Sequence, residues 1–500
     1  MTAQRSPAVR TSLAFLAVAA LCLLLADLEV TTLSPWGELG RMVRGLITPN
    51  FSEPLRLGEA LLQTLAFGLV GVALAVAMGF PLALAFHLAP VRWYCAFVRA
   101  IHELFWALLF LQMVGLNPMC GVLAIALPYS GVLAKVYSEI LEEADPRPLR
   151  GLPPRTGRIA AFFFVRLPDV WVHLKNYTAY RLECGLRSSA ILGFVGFPTL
   201  GFYLDTAFRE GLYSEVSALL ILFYLLIASL KYWMRPRLTW AYVVVAWALL
   251  PVGTSVQWSN IVRFFTRDIV PAPIRGAVAG DAGGWAEGLP RLWAWGGELI
   301  STQALPGIGV TLLLSQIALV ATGAIALGLF PLVSRTFVPP WSRVPNRWGL
   351  VVMRSTPEYI LAFVFLLLWG PSWLPAIAAL AIHNGAVIAH LIGRHVDEMQ
   401  LRPDAPRGLN RYFYETLPRL YGQFLAFLFY RWEVILRESA ILGILGIHTL
   451  GFYIDSALAD DRQDRALLLI LLTAALNLAV DALSRRLRAR LRLKLTPEME

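Results

Sequence analysis

A stretch of 21 residues occurs twice in this chain, 250 positions apart in a total of 500. RSSAILGFVGFPTLGFYLDTA at 187–207 returns as RESAILGILGIHTLGFYIDSA at 437–457, with 14 of 21 positions identical. The register continues upstream: Leu167-Pro168 matches Leu417-Pro418, Tyr180-Arg181 matches Tyr430-Arg431, Glu183 matches Glu433, and Phe80-Pro81-Leu82 matches Phe330-Pro331-Leu332. A repeat of this length fixes the architecture before any local reading does. The chain is a tandem duplication, with a first unit at 1–237 and a second at 238–500.

The repeated unit is a membrane unit. Apolar residues make up 57% of the chain and charged residues 15%, against roughly 25% charged in soluble domains. Stretches long enough to cross about 30 Å of hydrocarbon fall near 11–30, 60–88, 95–117, 119–141, 170–198 and 214–233. A second set falls near 238–256, 308–334, 349–369, 373–393, 420–447 and 465–483. Twelve spans, six per half, predict an all-α polytopic fold whose halves enter the bilayer in the same direction as parallel repeats. Asp27 and Glu29 end the first run without a small-residue cleavage site, so 11–30 reads as a retained span and not a signal peptide. The four cysteines stand alone in apolar surroundings and read as small core residues.

The net charge of +10 calls for no nucleic acid once the arginines are placed. With a cytoplasmic N-terminus, the inward segments hold Arg5 and Arg10; Arg147, Arg150, Arg155 and Arg158; Lys231, Arg235 and Arg237; Arg335, Arg343 and Arg347; Arg394, Arg402, Arg407 and Arg411; and the tail from Arg485 to Lys494. Short outward turns near 115–118, 203–213 and 370–372 contain one arginine, Arg209. This is a positive-inside pattern with both termini cytoplasmic. A long outward stretch at 257–305, with Pro271, Pro273, Asp281 and Gly280 to Gly284, is expected to cap the external face.

Three features bear on function. First, a charged inward loop follows the fourth span of each half, at about 142–160 (Asp145, Arg150, Gly157) and about 397–412 (Asp397, Arg407, Gly408). It suits docking of a soluble partner, or is an ordinary loop held inside by its arginines. Second, Gly193, Gly196 and Gly201, echoed by Gly443, Gly446 and Gly451, interrupt an apolar run. Such a run forms a broken or re-entrant helix beside a translocation path, or packs helices closely through small residues. Third, Glu183 with Arg187, Glu433 with Arg437, and Arg99 with Glu103 stand four apart and can pair on one helix face; Glu358 answers Glu103. Buried charges mark a partner or a wet cavity: either these are self-neutralised structural pairs, or Arg187 and Arg437 attract an anion with Glu183 and Glu433 holding them.

No nucleotide-binding G-x-x-x-x-G-K-[ST] loop, no H-E-x-x-H and no G-x-S-x-G occurs. The seven histidines form no cluster along the sequence. No catalytic residue, metal ligand or cofactor is therefore assigned.

The run Arg-x-Ser-Ala-Ile-Leu-Gly-x-x-Gly…Gly-Phe, the Tyr-Arg-x-Glu before it, HELFWALLF at 102–110, ALPYSGVLAK at 126–135 and the tail SRRLR at 484–488 resemble the inner-membrane permeases of phosphonate ABC importers (PhnE-type). The resemblance implies a type I importer fold with two permease units fused in one chain. It also implies two cytoplasmic ATPase subunits at coupling loops 142–160 and 397–412, a periplasmic or lipid-anchored solute-binding protein, and passage of a phosphorus oxyanion. The chain departs from the family's coupling pattern: Gly157 lies 11 residues before Pro168 and Gly408 lies 10 before Pro418, both short, and Pro153-Pro154 and Pro406 interrupt the helix expected there. The halves have diverged, with Pro198 facing His448 and Lys135 facing Ala389. An ion-coupled secondary transporter of a small anion, with Glu103 and Glu358 carrying protons, is the other class the residues allow; a membrane enzyme is disfavoured.

Overall fold

A computed structural model describes residues 7–32, 34–153, 156–279 and 284–491. Arg5, Pro154, Arg155, Gly280, Asp281, Gly283, Arg492 and Lys494 lie outside the described residues. Every regular element described is helical, one of the two ways, with the closed barrel, to satisfy backbone polar groups where no water reaches them.

The first repeat builds α1 (Pro7–Leu25), α2 (Pro54–Leu84), α3 (Ala89–Ala100), α4 (Glu103–Val114), α5 (Pro118–Glu143), α6 (Leu167–Ile191), α7 (Leu200–Arg209) and α8 (Tyr213–Trp233). The second builds α9 (Thr239–Leu249), α10 (Leu305–Val333), α11 (Pro340–Ser355), α12 (Glu358–Trp369), α13 (Trp373–Glu398), α14 (Leu417–Ser439), α15 (Leu450–Ala459) and α16 (Gln463–Arg490). Lengths repeat closely. Helices α4 and α12 have 12 residues each, α5 and α13 have 26, and α7 and α15 have 10. The equal α5 and α13 correct one pairing made along the sequence, since their register sets Lys135 against His390 rather than Ala389.

The chain folds as two compact units, one of residues 41–265 and the other of residues 1–40 with 266–499. These do not follow the sequence halves 1–237 and 238–500. In the 41–265 unit, α2 lies against α5 and α6, and α9 from the second repeat packs on α2. Gln63 Nε2 donates to the Leu249 carbonyl at 2.8 Å, and Asn117 Nδ2 to the Thr254 carbonyl at 2.7 Å. In the other unit, α10 lies against α13 and α14, and α1 from the first repeat packs on α10. Gln316 Nε2 donates to the Phe15 carbonyl, and Phe15 sits 5.2 Å from both Phe429 and Trp432. Backbone hydrogen bonds Thr31 N to Trp369 O and Trp373 N to Asp27 O pin the segment after α1 to the turn at Gly370. Each repeat's leading helix is thus seated in the unit built from the other repeat.

Seven described helices are long and apolar enough to cross a membrane, and ten spans result if each of three bent pairs counts as one. The twelve spans expected from the sequence are not all continuous helices among the described residues. The stretch 95–117 divides into α3 and α4 at 92°, and 349–369 divides into α11 and α12 at 94°. At 1.5 Å per residue a 12-residue helix reaches only about 18 Å. The second break has a local cause: a residue before proline avoids the helical region, and Thr356 before Pro357 is extended. At the first, Ile101 and His102 are both extended, and His102 caps α4 by accepting from Leu104 N at 3.2 Å. The stretch 238–256 yields only the 11 residues of α9, which Pro251 and Gly253 follow. The stretch 257–305, expected to face outward, is largely helical, at Trp258–Arg263, Ala272–Ala279 and Gly284–Leu299, with Trp258, Trp285 and Trp293 exposed.

Candidate functional site

The duplicated segment forms the same structure twice. Helix α6 tightens into a short 3-10 turn at Leu192–Val195 and stops at Gly196, whose φ of 99° is left-handed; α14 does so through Ile441–Leu445 and Gly446, φ 85°. The chain then turns into α7 or α15. A Cβ on Gly201 would lie 1.8 Å from the Ala190 carbonyl, and one on Gly193 would lie 2.1 Å from the Phe202 nitrogen. Gly451 and Gly443 repeat these approaches against Ala440 and Phe452 at 1.7 and 2.1 Å. Both uses of glycine open in the sequence are therefore present, a break in the helix and a backbone-to-backbone contact. A threonine completes each hairpin. Thr64 Oγ1 accepts from Leu200 N at 2.8 Å, and Thr311 Oγ1 accepts from Leu450 N at 3.1 Å, satisfying an amide at a buried helix start. Neither threonine stands out along the sequence, because each is a single hydroxyl on a long, mostly apolar helix more than 100 residues from its hairpin.

Polar side chains gather beside each hairpin. In the 41–265 unit, Ser188 Oγ donates to Glu103 Oε1 at 2.7 Å, and Tyr129 lies 2.9 Å from Ser188 Oγ. Arg181 donates to the Tyr177 hydroxyl at 2.8 Å and sits over the Tyr177 and Tyr180 rings. Arg187, half-buried on α6 one turn beyond Glu183, has Nη2 at 3.3 Å from Cys184 Sγ. In the other unit, Glu433 and Arg437 hold the same spacing on α14, both half-buried. There Asn384 Nδ2 donates to Glu438 Oε2 at 2.9 Å, and Arg431 reaches Asn384 Oδ1 at 3.3 Å. The structure places Glu103 and Glu358 at the first residue of α4 and α12, beside the breaks that bend those helices away from α3 and α11.

The charged loops at 142–160 and 397–412 differ in their ties. In the first, Asp145 accepts from Arg147 N at 2.9 Å, Arg150 ends a single helical turn, and Gly157 precedes another at Arg158–Ala161. In the second, Asp397 is part of a clasp and not an exposed docking group: it accepts from Ser334 Oγ at 2.7 Å and Arg335 N at 2.6 Å, and pairs with Arg347. Arg407 is exposed, and Gly408 has φ 64°. Glu415 is buried between Arg402 (2.7 Å) and Arg419 (2.7 Å), and hydrogen bonds from Arg402 above all hold its carboxyl below the usual carboxylate range. Between loop and helix each repeat inserts a π-turn, at Phe162–Arg166 and Arg411–Thr416. On and just before it, three apolar side chains stand exposed: Ile159, Phe163 and Phe164 at 76, 51 and 82%, and at the 250-residue offset Leu409, Phe413 and Tyr414 at 76, 55 and 74%. The offset was the signal that could have found them.

No family model and no solved structure matches the chain. Curated proteins do. The phosphate-import permease PhnE of Mycolicibacterium smegmatis is 27% identical over 484 residues, 90% of this chain and 88% of that protein. The phosphite transport system permease PtxC of Stutzerimonas stutzeri is 29% identical over 217 residues, covering 77% of itself but 40% of this chain. A protein named as a cryptic phosphonate transport system permease, PhnE2 of Escherichia coli, is 30% identical over 112 residues, 92% of its length. One relative thus runs the length of both repeats, and another is matched over most of its length by less than half of this chain. With the all-helical, multi-span fold and the duplicated glycine hairpin, these likenesses place the chain in the PhnE-type family of phosphonate, phosphite and phosphate transport permeases, as a multi-pass membrane protein.

Proposed function

We propose that the chain is the fused membrane component of an ABC importer for phosphonate or a related phosphorus oxyanion such as phosphite or a phosphate ester, in the inner membrane with both termini cytoplasmic. The observation that carries this reading is the likeness, across 90% of the chain, to a phosphate-import permease. The two permease units correspond to the repeats at 1–237 and 238–500, completing twelve membrane passes when bent and short segments are included. Two cytoplasmic ATPase subunits drive transport from loops 142–160 and 397–412, and a periplasmic or lipid-anchored binding protein delivers the solute. Arg187 and Arg437 bias the path toward an anion beside the glycine hairpins, with Glu183 and Glu433 holding them; the chain itself makes and breaks no bond.

The test is uptake in vesicles that hold the complete transporter. Radiolabelled phosphonate should enter with ATP supplied and the proton gradient collapsed. Uptake that needs the gradient and ignores ATP would instead establish the ion-coupled class. Replacing both arginines (R187Q with R437Q) should lower uptake at least tenfold while ATPase subunits still co-purify; unchanged uptake rejects their place on the path.

A further inference from the structure

The polar clusters of the two units occupy equivalent positions but differ in chemistry. Around Glu103 stand the Ser188 hydroxyl, through it Tyr129, and the His102 ring with Nε2 3.8 Å from Oε2, a set that holds a single carboxylate. At the equivalent places around Glu358, Ser188 is replaced by Glu438, Tyr129 by Asn384, and Pro128 by His383. The second unit thus sets two carboxylates beside an imidazole where the first sets one. All three side chains are at least nine-tenths buried, at 8, 3 and 9% exposure for Glu358, His383 and Glu438. Their ligand atoms lie within 4.8 Å of one another.

The surroundings orient these atoms. His383 Nδ1 is 2.9 Å from the Thr356 carbonyl, an acceptor, which places the ring proton on Nδ1 and leaves Nε2 as the base. Nε2 lies 4.0 Å from Glu358 Oε2. A backbone carbonyl behind Nδ1 is the usual support of a metal-binding histidine. Asn384 does the same for Glu438, donating to Oε2 at 2.9 Å. His102 of the other unit is set the opposite way, with Nδ1 accepting an amide and Nε2 bearing the proton. Two carboxylates and a ring nitrogen buried this close are the kind of mixed donor set that holds a cation. Ligands about 2 Å from a common ion lie up to about 4 Å apart, so the trio closes on one with small side-chain movement.

We propose that Glu358, His383 and Glu438 form a binding site for one divalent first-row transition cation of the zinc class, clasping the start of α12 to α13 and α14. A mixed nitrogen and oxygen donor set selects such ions over magnesium and calcium. The site exists once per chain, since the first repeat lacks two of the three ligands.

The full-length chain in lipid nanodiscs, stripped with chelator, is titrated with Co2+ and then with Zn2+. One saturable equivalent of Co2+ per chain, with visible d–d absorption bleached by Zn2+, is expected, and Zn2+ should raise the melting temperature. E358Q, which keeps shape and volume, and E438S, which installs the first repeat's residue, should each weaken Co2+ binding at least about tenfold and abolish the Zn2+-induced rise. Wild-type protein that takes up no more Co2+ than E358Q, or whose spectrum E358Q leaves unchanged, overturns the proposal, and E358Q serves alone if E438S does not fold.

Discussion

Gly451 has 1.7 Å between the place of its missing Cβ and the Ala440 carbonyl, whereas Gly309 on α10 has nothing within 4 Å. The two glycines look alike in sequence and are opposite in consequence. A backbone carbonyl cannot move aside as a side chain does, so Gly451→Ala must part α15 from α14. Its cost should exceed about 3 kcal/mol, in the range of overpacked cores, and show as loss of monodisperse protein in detergent. Gly309→Ala should be neutral or stabilising by up to about 1 kcal/mol, since glycine is a poor helix former. Glu415 gives a prediction in pH. Its folded carboxyl titrates below the unfolded value, so its contribution is complete above the ordinary glutamate range near about 4.3. That contribution is lost as pH falls through the lowered folded value. Hydrogen exchange over 400–416 should therefore speed up below about pH 4, after correction for intrinsic rates. Glu415→Gln should exchange fast already at neutral pH and show little further acid dependence.

At the scale of elements, the π-turns and their exposed apolar triads are the surfaces to test as ATPase docking sites. Phe164→Ala with Tyr414→Ala removes one large exposed ring from each loop without touching a buried contact. Stability should change by less than about 0.5 kcal/mol, as for surface substitutions, while recovery of the ATPase subunits with the chain falls several-fold in a pull-down. Full recovery would move docking elsewhere on the loops. Much of this level was legible beforehand. The repeat located both hairpins, because a duplicated segment leaves a local pattern. The bends at Ile101–His102 and Thr356–Pro357 were not legible as bends: an apolar window scores the same whether straight or folded at a right angle. The Glu358, His383 and Glu438 cluster was equally hidden. Its members are 25 and 55 residues apart on three helices, and only comparison between the repeats, glutamate for serine and histidine for proline, singles them out.

For the whole molecule, the duplication was plain in the sequence but the division into compact units was not. Sequence order puts α1 at the head of the first repeat and α9 at the head of the second. Packing puts Phe15 against Phe429 and Trp432, and Leu249 against Gln63, and nothing in hydropathy specifies which apolar neighbour a helix chooses. Residues 1–237 and 238–500 made as separate polypeptides should consequently co-purify and restore uptake, because each carries the leading helix that the other's unit requires. Removing residues 1–32 should raise hydrogen exchange in α10 and α14 far more than in α2 and α6. The reverse pattern would refute the packing described. The exchange also acts as a census of synthesis: a ribosome that stops midway leaves an apolar rod at one end and an uncovered groove at the other. Cells clear incompletely packed chains by proteolysis, so truncated products should be short-lived beside chains translated to completion.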